Sequence, residues 1–432
     1  MASVTRRSSR SFGLVAGLVG TALLVSGCSG GAARGGAGTG ENAGGESVPF
    51  GASVEDWQAA FEDIEPMEIV FQSANSATAP SSEDQIKFLK DRIEEYSGGK
   101  IEVEAVFGDA IAANVEADEA LADGRIDIHL LVPFLQPSDF PVSGEFALET
   151  SSARDSPVIS GTFASMGAIN EALWQETALM QEYEDAGMQV LAPMVHTGNA
   201  VLACAEPLTT LEDLKGKQIR VGPQAQFGQI EALGATPVAV AFADLYESLQ
   251  RGIVDCMTIG LTTMVGIPGM IDLVPYIIAP VGTAFAVTPG IQVAGAGWAD
   301  WPLPVQQLVF DSFAMADTAS VERFVGVDAK TMHDQAVAAG GEFLKLDAEA
   351  SESLKEHNDE MAAQWANSNL VDGEAFLANL EEAYDKWNGL MADAGYSDAE
   401  LPDFDEWYDA DTDFTAFEEA YFENVTKPNR PS

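Results

Sequence analysis

PLTTLEDLKGKQIRVGPQAQFGQIEALGATPVAVAFADLYESLQRGIVD, residues 207–255, decides how the rest of the chain is read. Leu208 to Leu214 form a short helix with hydroxyl and acidic residues at its start, and Lys215-Gly216-Lys217 turn the chain. Gln218-Ile219-Arg220-Val221 alternates polar and apolar side chains as a half-buried strand does, and Gly222-Pro223 ends it. A helix over 224–233, a strand over 236–240, a helix over 244–250 and a strand over 253–259 follow, and this alternation predicts a parallel sheet. Arg220 falls at a strand terminus, and in open α/β sheets ligands gather beyond the carboxyl ends of strands.

Working outward, residues 67–73 are strand-like. Ser81 or Ser82 can cap a helix in which Ile86, Leu89 and Ile93 share a face, and Gly98-Gly99 ends it. Ile101, Val103 and Ala105 alternate with Glu102 and Glu104 as a second strand. A helix over 115–121, a strand over 126–132, a helix over about 168–183 and a strand over 189–194 come next. Beyond the opening stretch, 277–287 and 291–294 are strand-like. Residues 305–339 lack proline and repeat apolar residues at helical spacing (Leu308, Val309, Phe313, Ala316, Phe324, Val327), which predicts one long helix unless Gly326 splits it. A strand over 343–346 and one or two acidic amphipathic helices reach about residue 394. The tail, 395–432, sets Phe404, Trp407, Tyr408, Phe414, Phe417, Tyr421 and Phe422 among many acids; exposed apolar patches are uncommon, so it is expected to pack back on the body.

The segments DLKGKQIRV, ALGATPV and AFADLYESLQRGIVD, in this order and spacing, resemble the solute-binding proteins of tripartite ATP-independent periplasmic (TRAP) transporters. The resemblance covers about residues 66–394. It implies an α/β, two-lobed periplasmic-binding-protein-like fold of type II, each lobe a mixed sheet flanked by helices, with a long helix spanning both. The lobes would be 66–197 plus 285–324 and 198–284 plus 325–394, with 395–432 an acidic-aromatic extension. Ligand would bind between the lobes, and the segments 196–200 and 284–288 would flex as they close. It also implies that Arg220 grips a ligand carboxylate, a task suited to a planar guanidinium whose parallel N–H groups match two oxygens. Asn75 matches a ligand-contacting amide and Phe242 a cleft aromatic; His196 and His129 lie in or after strands that can face a cleft. Where relatives often carry a polar Gln-Glu-Asn-Pro, this chain has Met257-Thr258-Ile259-Gly260, and Ala200 replaces a second arginine of sialic-acid-binding relatives. Thr258 and Ile259 thus make a more apolar pocket with one cationic anchor fewer, suited to a monocarboxylate.

The chain opens with Arg6, Arg7 and Arg10, then an apolar run over 12–25 too short to span a membrane. Residues 1–27 read as a signal peptide, and Leu24-Val25-Ser26-Gly27-Cys28 looks like a lipobox that makes Cys28 the lipidated first residue. Residues 28–65 are then a glycine-rich tether and leader, and the body begins near Pro66. The formal charge of −47 excludes nucleic acid and anionic headgroups as partners. Cys204 and Cys256 allow one disulfide or two buried thiols. No metalloprotease, phosphate-loop, nucleophile-elbow or zinc-spacing motif is present, so neither an enzyme nor a cofactor is expected. The sequence therefore describes an exported, lipid-anchored solute-binding protein at the outer face of the cytoplasmic membrane, delivering a small organic acid to TRAP permease subunits. The alternative is a ligand-sensing lipoprotein for a membrane signalling receptor.

Overall fold

The structure, a computed structural model, describes residues 45–74, 80–133, 136–146, 154, 156, 158–195, 200–241, 244–287 and 290–432, with the side chains of 80–85 set aside. Alternating Ile101 and Val103 point into an apolar core while Glu102 and Glu104 face water, as a strand covered on one face requires. Among the described residues the first sheet holds β1 (Met67–Ser73), β2 (Ile101–Phe107), β3 (Ile128–Leu131), β4 (Gln189–Val195) and β10 (Gly290–Ala294), in the spatial order β2-β1-β3-β10-β4. The second holds β5 (Ala200–Cys204), β6 (Gln218–Val221), β7 (Thr236–Ala239), β8 (Cys256–Gly260), β9 (Tyr276–Ala279) and β11 (Glu342–Lys345), ordered β11-β9-β5-β8-β6-β7. Each sheet is parallel except for one strand: β10 runs against β3 and β4, and β5 against β8 and β9. Those two strands are the ones the chain enters on crossing from one sheet to the other. Cys204 and Cys256 sit opposite each other on β5 and β8 and form a disulfide, so they are not free thiols.

A third crossing is made by one continuous helix. Residues Leu303–Arg323 are α-helical, Phe324–Asp328 form a π-helical turn around Gly326, and Ala329–Ala338 are α-helical again. The helix is thus neither uniform nor split at Gly326; it carries a wide turn there. Its first half packs on helix Pro80–Tyr96 and β4, its last part on helix Leu261–Val265 and β11.

Several elements differ from expectation. Helix Pro80–Tyr96 starts ahead of Ser81 and Ser82, which fall in its first turn and do not precede it. The helix expected over 168–183 is two, Ser160–Gln175 and Thr177–Asp185, divided at Glu176, whose carboxylate accepts from Ala178 N at 3.0 Å. Helix Gly373–Ala394, expected with the second lobe, lies along Ser160–Gln175, with the Trp387 ring so close to Gly167 that a Cβ there would meet it at 2.2 Å. The body begins earlier than residue 66: Val48 is buried and its N–H donates to Gln307 at 2.8 Å, and helix Val54–Ala60 buries Trp57. The tail packs back as expected, with Phe404, Trp407, Phe417 and Tyr421 buried.

The long helix carries buried acids. Asp311 is paired with Arg430 through two bonds of 2.7 and 2.8 Å. Asp317 is fully buried with no cation against it among the described residues, and burial pushes its carboxyl up to about 8. At neutral pH it is therefore protonated when folded and ionised when unfolded, so the folded state binds the extra proton and stability falls as pH rises from about 4 to 8. We expect the urea midpoint to be higher at pH 5.5 than at pH 8, and Asp317→Asn to remove up to about 1.4 kcal/mol per pH unit of that slope; a slope unchanged in the variant would contradict the assignment.

Candidate functional site

The capping box of Thr210 and Asp213 starts helix Leu211–Leu214, and Gly216 at φ 76° turns the chain into β6. Parallel pairing sets Arg220 opposite Val238 of β7 and Met257 of β8, in the interior of the sheet and one residue from the end of its strand. Ile219 and Val221 point into the core, so Arg220 projects to the other face. There it is half-buried: Nε donates to Val240 O at 3.3 Å and Nη1 to Thr258 O at 3.4 Å, both long contacts. No carboxylate pairs with Arg220 among the described residues, and burial alone lowers its pKa from the ordinary value. Nearby cations are satisfied elsewhere: Lys217 pairs with Glu206 at 2.7 Å and Arg251 with Glu247 at 2.9 Å.

Arg220 borders a cavity of about 230 Å³. Ala200, Pro223, Ile259 and Val287 give it an apolar wall; Gly222, Gly260, Gln226, Thr258 and Thr263 complete the lining, and no acid takes part among the described residues. Arg220, Thr258 and Ile259 are thus brought together as expected, with Ala200 beside them. The Thr258 hydroxyl is turned inward, toward Arg220 O at 3.2 Å and Gln226 Oε1, so it braces the strand ends and is not free for a ligand. Asn75, His196 and Phe242 lie outside the described residues, as does Cys28. His129 is buried on β3, with Nδ1 donating to Gln72 O at 2.9 Å and Nε2 accepting from Asn114 at 3.3 Å; burial lowers its pKa and it is a structural residue. A larger concavity, about 1300 Å³, opens beside the leader, but its charged lining residues, Glu46, Asp56, Asp63, Glu65 and Asp300, are all acidic and unsuited to an anion.

Gln226 is the residue that sequence reasoning missed. It accepts from Gly222 N at 2.8 Å and from Thr258, and donates to Ala286 O at 2.6 Å. One turn on, Gln229 accepts from Ala286 N at 3.0 Å and donates to Asn358 at 2.7 Å. The segment 284–287, expected to flex, is buried and held on both backbone edges by this pair of glutamines, so its described part is fixed to the second sheet. Two glutamines three apart, on the face of helix Ala225–Ala232 that also buries Ile230, were the available signal.

Residues 71–369 match the bacterial extracellular solute-binding protein, family 7 (DctP). The chain belongs to that family. Curated relatives include the C4-dicarboxylate-binding periplasmic protein DctP of Rhodobacter capsulatus, 27% identical over 44% of this chain and 55% of its own length. The ectoine-binding periplasmic protein TeaA of Halomonas elongata is 23% identical over 61% of this chain and 64% of its own length. The matched stretches thus span little more than half to two-thirds of these relatives. Among solved structures, a marine metagenome TRAP solute-binding protein specific for aromatic acids, in complex with 3-hydroxybenzoate, superposes with a TM-score of 0.62 at 20% identity, over 75% of this chain and 99% of its own. A Bordetella pertussis extracytoplasmic solute receptor binding pyroglutamic acid gives 0.58 at 18% identity over 74% and 99%. At such identities these likenesses establish the two-lobed fold. The family is one of solute receptors and not of enzymes.

Replacing Gln226 by Leu strands the Gly222 N–H and the Ala286 carbonyl in a buried setting and leaves the Thr258 hydroxyl only its long bond to Arg220 O. Gln226→Leu is expected to lower unfolding free energy by about 2–4 kcal/mol, measured by urea titration; a loss within error of zero would show that the network is not built as described.

Proposed function

We propose that this chain is the solute receptor of a TRAP-type transporter, and that it captures a small monocarboxylate between its lobes for delivery to membrane permease subunits. The carrying observation is Arg220, a half-buried guanidinium without a carboxylate partner among the described residues, at the edge of an apolar-walled cavity. A desolvated cation that lacks a counter-charge is stabilised by any anion that enters, and one arginine with no second cation beside it matches one carboxylate. The aromatic-acid and pyroglutamate ligands named for proteins of the same fold are monocarboxylates, whereas the Rhodobacter capsulatus relative is named for C4-dicarboxylates, so the preference for a monocarboxylate rests on the single arginine of the cavity. Asn75, Phe242 and His196 are assigned to the remainder of the cleft, and the lobes follow the two sheets, with segment 284–287 on the second sheet's side and helix Gly373–Ala394 on the first sheet's side.

Export follows from the same reading: residues 1–27 are removed, and Cys28 carries a lipid that holds the receptor at the outer face of the cytoplasmic membrane. Among the described residues no helix is long and apolar enough to cross a membrane. Mass spectrometry of detergent-extracted protein should find a chain beginning at an acylated Cys28; an unmodified Cys28 in a membrane-released protein would refute the anchor.

Calorimetric titration with benzoate, 3-hydroxybenzoate, pyroglutamate, a 2-oxo acid, succinate and malate tests the ligand class. Monocarboxylates should bind and Arg220→Ala should weaken them about a hundredfold, the loss of one or two charge-assisted hydrogen bonds of about 1.5–3 kcal/mol each. Tight succinate or malate binding with no monocarboxylate response would overturn the assignment.

A further inference from the structure

The C-terminal extension lies beyond the family match, which ends at residue 369, and its path is informative. It leaves helix Gly373–Ala394 at Gly395 in the left-handed conformation (φ 77°), then passes Ser156 and Ser160, which donate to Glu400 at 2.5 Å and Asp398 at 2.8 Å. Next it stands on the second sheet's side: Asp403 pairs with Lys345 of β11 at 2.5 Å, and the Phe404 ring stacks on His333 with centroids 4.0 Å apart. Tyr408 then donates its hydroxyl to Gly326 O at 3.0 Å, inside the π-helical turn of the long helix. Finally the extension stands on the first sheet's side: Phe417 stacks on Phe163 at 4.2 Å, and Arg430 forms its buried bidentate pair with Asp311. Gln307, one turn before Asp311, donates to Pro431 O at 2.8 Å and to Ser47 Oγ at 2.8 Å, tying this end to the leader.

We propose that the extension is a strap across the hinge of the receptor, anchored on the structure at both ends of the long helix and touching it at the π-turn, and that it limits the relative rotation of the lobes. The reasoning is geometric. A helix that crosses both lobes must bend or twist when they move, and the wide turn at Gly326 is where its regular hydrogen bonding is already interrupted. Rotation about that point displaces the Asp403–Phe404 footing from the Phe417–Arg430 footing. The buried stacks and the ion pair resist such shear, because a buried charge that loses its partner is left unpaired where water does not reach it. The strap thereby shifts the population of open and closed forms, and with it the apparent affinity, which scales with the fraction that is competent to bind.

The proposal rests on the two-lobed receptor reading, and its test is independent of ligand. Spin labels at Glu102→Cys on β2 and Glu231→Cys beyond the second sheet, in a Cys28→Ser background, report the interlobe distance by double electron–electron resonance. Compared with the unaltered strap, Lys345→Gln with Phe404→Ala should broaden and shift the distance distribution without ligand, and Tyr408→Phe alone should do so to a smaller extent. Circular dichroism identifies any variant that fails to fold; for that case Lys345→Gln alone, which removes only a half-exposed ion pair, carries the test through the same measurement. Distributions superimposable on the parent in the folded variants would overturn the strap. Titrating 3-hydroxybenzoate into the labelled parent separates the two claims: no response to that acid or to the others tested speaks against the receptor reading, while the ligand-free comparison still decides the strap.

Discussion

A guanidinium held half out of water with no acid beside it is a cost that a folded chain ordinarily avoids. Here the surroundings maintain it. The parallel pairing of β6 with β7 and β8 fixes Arg220 in register, Gly222 leaves the space beside its Nη1 open, and Gln226 ties the strand ends and the crossing segment at Ala286 into one rigid corner. The only polar contacts found for the guanidinium among the described residues are two carbonyls at 3.3 and 3.4 Å, too long to compensate fully for lost hydration. On a chain of formal charge −47, where acids are abundant, a cation left without one is all the more telling. An anionic ligand approaches against the field of the whole molecule, so its capture depends on this one short-range attraction.

The second organising constraint is the long helix. Its first half is buried on nearly every side, and its buried acids are met in different ways: Asp328 pairs with Arg323 of the helix itself at 3.3 Å. Arg430, close to the end of the chain, supplies the counter-charge to Asp311, whereas Asp317 keeps a proton. Burial and the neighbouring Glu418 of the extension push the Glu322 carboxyl up as well, to about 7. The extension is thus joined to the helix by charge and protonation as well as by stacked rings, and the leader joins the same junction through Gln307.

β6 is legible in the sequence because its four residues alternate cleanly between turn glycines, and the first residues of β2 alternate likewise after Gly98-Gly99. Helix Ser160–Gln175 was obscured because it is apolar all round, leaving no periodicity to find, and its continuation past Glu176 masked a boundary. The leader looks like tether because a short segment such as Ser47-Val48 gives no pattern of its own; it is held by Gln307, distant in sequence. Within the site, Arg220 stands out by its place at a strand terminus and by the family segment that carries it, and Thr258 and Ile259 by a family departure. Gln226 was lost inside a helix whose face carries both polar and apolar buried groups, and its partners at Gly222, Thr258 and Ala286 come from three separate segments. The pairing of Cys204 with Cys256 needed the β5–β8 register, which residue types alone do not specify.

The central claim is that Arg220 is the carboxylate anchor. A crystal structure of the protein with its co-purified or added organic acid measures this directly. The account requires one carboxylate, both oxygens facing the guanidinium at about 2.7–2.9 Å. A ligand seated elsewhere with Arg220 turned to solvent, or an acid held entirely by other side chains, would contradict it.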